Sequence, residues 1–259
     1  MSKPVIEIID DYFPRYLGYE LGQVGRGQTV AVPSERRQHA EKGWGYTVAI
    51  QIHVSHERAV ISLRPDLFES VEQLLVQEPK PVELLTIEWR HRIGQLVDHD
   101  QLGQLHVVLY GKLDSCPMVK NPKCRPLSES DVESYVRMKL DLYPAVNAEN
   151  LATDIRRNIG DRIAFGVFDT DRLVSVSEAP AVSHMQDKID EVGVDTLPEY
   201  RRKGYGKAVV SNMTKAILDL GRIPIYRYSP ANEASLRLAK AVGYKKYGDI
   251  VEFRQRTFL

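Results

Sequence analysis

The sequence predicts a mixed α/β fold of the α+β type, and three observations support this prediction. Apolar or β-branched residues alternate with small or polar ones in short segments such as 48–54 and 192–196, a pattern typical of strands. In segments such as 209–220 the apolar residues recur every three or four positions, which is typical of helices. A short turn at 55–58 joins two strand-like segments and therefore indicates a hairpin.

Length and composition place the chain among globular proteins. Its 259 residues are 43% hydrophobic, which is enough for one large core or two modest ones. No segment approaches the ~18 apolar residues of a spanning helix, and the acidic start at Glu7, Asp10 and Asp11 is unlike a signal peptide. We therefore expect a cytoplasmic protein without a membrane partner. Because the formal net charge is zero, nucleic acid is not expected as a partner either.

The cysteines and histidines do not predict a metal site. Cys116 and Cys124 lie in a proline-containing segment, and two thiols alone lack the four ligands of a structural zinc site. We interpret them as free thiols. The seven histidines form no helical i, i+4 pair with a third ligand, so ordinary buried or exposed histidines are expected.

The first 116 residues contain predicted helices and strands but no motif with a known function. A helix that begins near Val5 is expected to end at Pro14, because proline inside a helix removes a backbone hydrogen bond. The remaining predicted elements are a hairpin at 48–54 and 59–63, helices at 65–75 and 85–96, and a strand at 105–109.

The segment 113–126 is the best candidate for a linker, because its three prolines and two cysteines neither pair nor pack well. We place the boundary near Pro117, which divides the chain into an N-terminal α+β domain (1–116) and a second domain (117–259). In the second domain, Ser128-x-x-Asp131 is a helix-capping pattern. The elements expected after it are helices at 132–140 and 151–155, strands at 163–168, 173–177 and 192–196, a helix at 209–220, a strand at 225–228, a helix at 232–242 and a strand at 250–253.

A strand, a glycine-rich basic turn and a helix follow one another in segment 191–220, and Gly221 is expected to end the helix. Gly204 and Gly206 allow backbone N–H groups to approach a ligand, because no Cβ stands in the way. The amides of a first helical turn attract anions, and the basic residues of 201–207 add positive charge. The segment therefore predicts a phosphate-binding site.

The common nucleotide-binding motifs do not fit this turn. A Walker loop requires glycine where Arg201 stands and serine or threonine where Ala208 stands. A dinucleotide fingerprint that begins at Gly204 requires glycine where Val209 stands. These two motifs therefore do not identify the phosphate ligand, and its identity stays open at this point.

Two signatures in the second domain resemble those of the GNAT superfamily of acyl-CoA-dependent N-acetyltransferases. Residues 201–206 read Arg-x-x-Gly-x-Gly, which is similar to the pyrophosphate-binding motif of that family. Residues 232–244 begin with Asn and end with Gly-Tyr, which resembles the second signature. Two signatures in the expected order are much more specific than one glycine motif. The resemblance covers 123–259 and implies a GNAT-like mixed, mostly antiparallel sheet flanked by helices.

The resemblance implies transfer of an acetyl group from acetyl-CoA to a primary amine of a small-molecule acceptor. In this family two central strands, here 192–196 and 225–228, diverge, and the pantetheine arm lies between them. For Asn232, a simple helix N-cap is an equal alternative to a cofactor contact. The residues expected at acetyl-CoA are Val194, Asp195, Thr196, Arg201, Arg202, Lys203, Gly204, Tyr205, Gly206, Lys207 and Asn232.

An aliphatic amine must lose a proton before it attacks the thioester, so a catalytic base is expected. Glu191 precedes the strand that leads to the cofactor, and Glu178 ends the strand before it. Either carboxylate could act directly or through water. A solvated or salt-bridged glutamate is at least as good an interpretation of each.

Many members of the family have a tyrosine four residues before the Gly of the Gly-aromatic pair, where it protonates the leaving thiolate. Ala239 occupies this position here. Tyr244 is the candidate general acid, with Tyr228 or water as alternatives.

Three functions therefore remain open. An active acetyltransferase, as a monomer or homodimer, is favoured. Because the usual tyrosine is missing, an acyl-CoA-binding module without turnover is the alternative. A structural domain with an incidental basic turn is disfavoured by the intact glycine motif.

Overall fold

The structure is a computed structural model that describes residues 5–20, 22–40, 46–97, 102–112, 115–161, 163–179 and 188–256. The helices are α1 (Val5–Leu17), α2 (Phe68–Leu75), α3 (Ile87–Val97), α4 (Val132–Leu142), α5 (Ala148–Asp161), α6 (Tyr205–Asp219) and α7 (Glu233–Val242). The strands are β1 (Thr29–Pro33), β2 (Tyr46–Ser55), β3 (Arg58–Leu63), β4 (Gln104–Tyr110), β5 (Cys124–Pro126), β6 (Ala164–Asp169), β7 (Arg172–Glu178), β8 (Ile189–Glu191), β9 (Gly193–Thr196), β10 (Ile223–Tyr228) and β11 (Lys245–Arg256).

The strands form two sheets. The larger sheet has seven strands in the order β1-β3-β2-β11-β4-β10-β8, and the smaller has four in the order β5-β6-β7-β9. Among the described strands, β1 with β3 and β8 with β10 pair in parallel, whereas all other pairs are antiparallel. This arrangement confirms the predicted mixed, mostly antiparallel sheet flanked by helices.

Strands from both predicted domains share the larger sheet. The C-terminal strand β11 lies between β2 and β4, and β10 pairs with β4 on its other side. The backbone groups of β10 and β11 therefore find partners in the N-terminal half of the chain. The division into 1–116 and 117–259 stays a prediction.

Three hydrophobic clusters hold the layers together. One cluster packs α4, α5, α6 and α7 against the smaller sheet and β10. The second lies between α1 and one face of the larger sheet, and the third packs α2 and α3 on its other face. No helix in the described part of the chain is long and apolar enough to cross a bilayer.

The N-terminal half contains the predicted elements and one further strand, β1, and the prediction at Pro14 needs correction. The hairpin β2–β3 is confirmed, and its turn residues His56 and Glu57 have φ of 50° and 61°, as a tight hairpin turn requires. The prediction that Pro14 ends the first helix is wrong, because α1 continues to Leu17. Phe13 and Leu17 are 3% and 0% exposed, so packing against the sheet outweighs the lost backbone bond.

The C-terminal half follows its predicted order of elements, with β5 and β8 as additional strands. Strand β5 pairs with β6, so the end of the segment predicted as a linker is part of the smaller sheet. The capping pattern is confirmed, since the Asp131 carboxylate accepts a 2.8 Å hydrogen bond from the Ser128 backbone N–H. Helix α6 ends as predicted at Gly221, which has φ of 71°. Leu220, expected on the apolar face, is instead 55% exposed because it lies at the end of that helix. The final strand, predicted at 250–253, extends over Lys245–Arg256.

We expect two glycines that follow helices to respond very differently to substitution by alanine. Gly221 and Gly243 have φ of 71° and 98°, which disfavours any side chain by about 1–2 kcal/mol. A Cβ on Gly221 meets no atom within 4 Å, whereas one on Gly243 would lie 1.6 Å from the Ser115 carbonyl oxygen. Urea unfolding should show a loss of about 1 kcal/mol for Gly221→Ala and roughly 3 kcal/mol or more for Gly243→Ala. Equal losses would contradict the close approach at Gly243.

Candidate active site

A cleft opens where one extended segment changes its hydrogen-bonding partner. Strand β8 pairs in parallel with β10, with Glu191 opposite Ile225. One residue later the Val192 N–H donates to the Ile225 carbonyl oxygen at 2.8 Å. Strand β9 then pairs with β7 instead, with Val194 opposite Ser177. Among the described residues β9 has no partner on its other edge, so β9 and β10 diverge and leave a cleft of about 800 Å³ between them.

The glycine-rich turn forms one end of this cleft. The chain passes from β9 through a short 3-10 turn at Pro198–Tyr200 and enters α6 with Gly204 at φ of 80°. The first intrahelical bond is donated by Ala208 to the Gly204 carbonyl oxygen at 3.0 Å. The amides before Ala208 in this first turn thus point out of the helix without a helical partner, which makes the turn suitable for an anion.

Backbone strain is present in the same turn. Arg202 has φ of 63°, a conformation that costs a non-glycine residue about 1 kcal/mol or more. The neighbouring side chains are held in place: Arg201 Nε donates to the Thr196 carbonyl oxygen at 3.2 Å, and Lys203 Nζ lies 4.6 Å from the centre of the Tyr200 ring. The turn therefore has a defined shape with its basic residues clustered at the mouth of the cleft.

Strand β10 and helix α7 form the opposite wall. Asn232 caps α7, since its side-chain oxygen accepts a 3.0 Å hydrogen bond from the Ser235 backbone N–H. The N-cap alternative for Asn232 is therefore confirmed, and the residue also lines the cleft. On the same wall the Tyr226 hydroxyl lies 2.8 Å from Ser235 Oγ.

The structure brings together most of the residues predicted at acetyl-CoA. All of them except Lys203 line the cleft. Sequence reasoning missed several further lining residues on α4, α7, β10 and the turn before α6. These are Tyr143, Pro198, Tyr200, Tyr226, Ala234, Ser235, Arg237 and Leu238. The alternation of β10 could have identified Tyr226, whereas nothing in the local sequence places Tyr143 beside β9.

The predicted base Glu191 is part of a buried ion-pair network on the larger sheet. Arg227 Nε lies 2.8 Å from Glu191, and Arg227 Nη1 lies 2.7 Å from Glu252. Arg254 Nη2 contacts the same Glu252 at 2.6 Å. Burial alone would raise the pKa of Glu252, but the two guanidinium groups outweigh it and lower this pKa to about 2. The network thus ties β8, β10 and β11 together beside the cleft.

The second predicted base, Glu178, belongs to a cluster beside β9, on the opposite side of the cleft from the network of Glu191. Lys139 Nζ lies 2.9 Å from Glu178 and 2.7 Å from Asp195, and the Tyr143 hydroxyl donates to Asp195 at 2.8 Å. Burial alone would lower the pKa of Lys139, but the two carboxylates outweigh it and raise this pKa. One ammonium between two carboxylates leaves this cluster with a net negative charge next to β9.

The predicted general acid Tyr244 lies in the core behind the cleft. Its side chain is 5% exposed, and its hydroxyl lies 2.7 Å from Thr214 Oγ1. Burial raises the pKa of Tyr244. Neither Tyr244 nor the two glutamates belong to the lining of the cleft, so their catalytic roles stay predictions.

The two cysteines agree with their interpretation as free thiols. Cys116 and Cys124 are both free, as predicted. Within the described ranges, no three His, Cys, Asp or Glu side chains cluster in a way that could hold a metal ion.

Residues 183–254 match the family model described as FR47-like protein. The match includes strands β8 and β9, between which the hydrogen-bonding partner changes, and also the glycine-rich turn and the capped helix α7. The cleft is lined by β9, the turn and α7. This match lies in the C-terminal region and supports the resemblance to the GNAT superfamily. No curated protein sequence matches the chain.

Solved structures of acetyltransferases also match the chain. One, from Novosphingobium aromaticivorans DSM 12444 and assigned to the GNAT family, has 19% identity over 60% of this chain and 65% of that chain, with a TM-score of 0.47. A GNAT-family acetyltransferase from Colwellia psychrerythraea has 14% identity, coverage of 58% and 56%, and a TM-score of 0.49. The yncA protein of Salmonella typhimurium, solved with acetyl-CoA, has 15% identity, coverage of 51% and 92%, and a TM-score of 0.40. The chain thus spans 65% and 56% of the length of the first two structures.

The ion-pair network beside the cleft predicts a specific loss of stability in acid. Since the pKa of Glu252 falls from 4.5 to about 2 on folding, its contribution is complete above pH 4.5 and is lost as the pH falls towards 2. This difference corresponds to about 3 kcal/mol. Urea unfolding between pH 5 and pH 3 should therefore show a steeper decline for the wild type than for Glu252→Gln.

The matched control is Glu233→Gln, which removes an ion pair with Arg237 whose side chains are 76% and 70% exposed. It should change stability by less than about 1 kcal/mol at any pH. At pH 7, Glu252→Gln should itself be less stable by roughly 3–5 kcal/mol, because it removes the carboxylate that lies between two partly buried guanidinium groups. An unchanged acid slope in Glu252→Gln would contradict the depressed pKa.

Proposed function

We propose that this protein is an N-acetyltransferase that transfers the acetyl group of acetyl-CoA to a primary amine of a small-molecule acceptor. The observation that carries the proposal is the cleft between β9 and β10, with the unpaired amides of the first turn of α6 at its mouth. A narrow cleft with free strand edges suits an extended arm that ends in a pyrophosphate. The cytoplasmic location and the monomeric or homodimeric state expected from the sequence are part of this proposal.

The chemistry of the cleft residues fits the parts of acetyl-CoA. The edge of β9 that has no partner among the described residues offers backbone donors and acceptors to the amides of the pantetheine arm. The α6 amides and the cations Arg201, Arg202 and Lys207 suit the pyrophosphate. A Cβ at Gly206 would meet Leu238 and Thr196 at 3.5 Å, so the cleft is narrow at this point.

The reaction requires one bond to form and one to break. The acceptor nitrogen attacks the thioester carbon, the C–S bond breaks, and the electron pair leaves on sulfur. We assign the proton of the amine to Glu191, or failing it to Glu178, directly or through water. Each carboxylate lies beside one of the diverging strands, and each is 19% exposed. The net negative cluster around Asp195 also favours the approach of an ammonium group.

The alternative function is an acyl-CoA-binding module without turnover. The specific observation that favours it is Ala239, which is fully buried where many members of the family have a tyrosine. The two functions differ in whether CoA is released. Free thiol should appear when the protein is mixed with acetyl-CoA and a panel of primary amines, whereas a binding module would retain acetyl-CoA without releasing CoA.

The first prediction of the proposed function concerns binding. Gly206→Glu places a carboxylate in the narrow part of the cleft, where it would face the pyrophosphate. Because like charges at an interface cost several kcal/mol, the affinity for acetyl-CoA should fall by about 100-fold or more in calorimetry. Gly206→Ala is the control for folding, since its Cβ makes only ordinary contacts at 3.5 Å. Unaltered affinity in a folded Gly206→Glu variant would contradict the cofactor site.

The second prediction concerns the base. Glu191→Gln should lower kcat by ~100-fold or more, leave acetyl-CoA affinity nearly intact, and remove the acidic limb of the pH–rate profile. Glu178→Gln is the comparison, since it changes the second candidate base, which lies on β7 beside β9. Normal kcat with an unchanged acidic limb would rule Glu191 out. The same result at Glu178 would leave water, or the free-base fraction of the amine, to accept the proton.

A further inference from the structure

The absence of a tyrosine at position 239 leaves the departing thiolate without the usual partner. Ala239 is 0% exposed and lies in the same hydrophobic cluster as Tyr226 and Tyr244. These two rings pack against each other with centroids 5.5 Å apart. The hydroxyl group of a tyrosine on another element could therefore take the place of the tyrosine that is missing at position 239.

Tyr226 brings such a hydroxyl to the cleft wall. Its side chain is 2% exposed and extends from β10 towards α7, where its hydroxyl lies 2.8 Å from Ser235 Oγ. Both residues line the cleft. Ser235 precedes Ala239 by one helical turn, so the two positions lie on the same face of α7. The Tyr226 hydroxyl thus lies beside the helix face from which the usual tyrosine would extend.

The other tyrosines that line the cleft are engaged differently. The Tyr143 hydroxyl donates to Asp195, so its proton is directed to a carboxylate. Tyr200 packs against Lys203 in the basic turn, and Tyr205 begins α6 at the same end. These last two lie where the pyrophosphate is proposed, away from the thioester. Among the tyrosines that line the cleft in the described residues, Tyr226 combines a hydroxyl partner with a position on β10, one of the two diverging strands.

We propose that the Tyr226 hydroxyl donates a hydrogen bond to the CoA sulfur as the C–S bond breaks, with Ser235 orienting the phenol. The inference rests on the proposed function. The electron pair of the C–S bond moves to sulfur, and the Tyr226 proton stays on oxygen. The proton lost by the amine goes to the base, and CoA leaves as a thiolate that solvent protonates later. Tyr226 is therefore a hydrogen-bond donor to the leaving group rather than a proton donor.

The chemistry of the site favours donation without transfer of the proton. Burial raises the pKa of Tyr226, although the hydrogen bond with Ser235 lowers it in part. A thiol has an ordinary pKa of about 8.5 and a phenol one of about 10, so a thiolate would not take the proton from a buried phenol. A fixed donor aimed at developing negative charge nevertheless stabilises the transition state.

The test compares Tyr226→Phe with the wild type in two measurements. The first is the pKa of the CoA thiol bound to the protein, followed by thiolate ultraviolet absorbance, which requires no acceptor. Because a hydrogen bond to a charged group favours the charged form, this pKa should rise by about one unit or more in Tyr226→Phe. The second is kcat for CoA release with the most active amine of the panel, which should fall about 10- to 100-fold with little change in KM for acetyl-CoA.

The matched control is Tyr110→Phe on the neighbouring strand β4. Tyr110 pairs with Ile225, the residue next to Tyr226. However, it packs against the hydrophobic cluster between α1 and the larger sheet and does not line the cleft. It should leave both measurements at their wild-type values. Melting temperatures of the variants confirm that each is folded.

These measurements distinguish a failure of the contact between Tyr226 and sulfur from a failure of acetyl transfer. If the wild-type protein releases CoA and Tyr226→Phe has the same kcat as the wild type, the role of Tyr226 alone is overturned. A lower kcat without a change in the bound-thiol pKa would also overturn it, because a purely structural role would produce that result. No CoA release by the wild type with any amine would overturn the transfer reaction, and the bound-thiol pKa would then decide the contact between Tyr226 and sulfur by itself.

Discussion

The candidate site exists because the chain changes its hydrogen-bonding partner at Val192. Up to this residue the segment belongs to the larger sheet through β10, and after it the segment belongs to the smaller sheet through β7. A strand that follows one diverging sheet must leave the other, so one edge of β9 is unpaired among the described residues. A ligand in the cleft would supply partners for the backbone groups of that edge. The cleft, the position of the glycine-rich turn and the wall formed by β10 all follow from this division.

Two ion-pair groups hold the two sides of the division in place. On one side Arg227 links Glu191 of β8 to Glu252 of β11. On the other side Lys139 of α4 contacts both Glu178 of β7 and Asp195 of β9. Loss of one partner from a buried pair is costly because it leaves an uncompensated charge. The glutamates predicted as bases thus also have a structural part, which is why their variants need measurements of pH dependence and binding as well as rate.

The sequence predicts the local parts of this site well. The turn at 201–206 and the capped helix from Asn232 depend on glycine conformations, caps and apolar periodicity, which neighbouring residues determine. The resemblance implies that the strands 192–196 and 225–228 diverge, but the local pattern does not show where, because the alternation of 192–196 continues smoothly while the hydrogen-bonding partner changes at Val192. The partners of Glu191 and Glu178 lie 36 and 39 residues away, so their ion pairs are invisible in the local pattern. Pro14 was misinterpreted for a similar reason, since tertiary packing decides whether a helix tolerates it.

Hydrogen–deuterium exchange of the full chain, with and without acetyl-CoA, shows whether the cleft binds this cofactor. If the first turn of α6 and the edge of β9 that is unpaired among the described residues receive the ligand, amide exchange should slow in peptides that cover 193–207. Peptides from α2 and α3, whose hydrophobic cluster contains no residue of the cleft lining, should exchange at the same rate in both states. Unchanged exchange in 193–207 at saturating acetyl-CoA, or protection confined to other segments, would show that acetyl-CoA does not bind in this cleft.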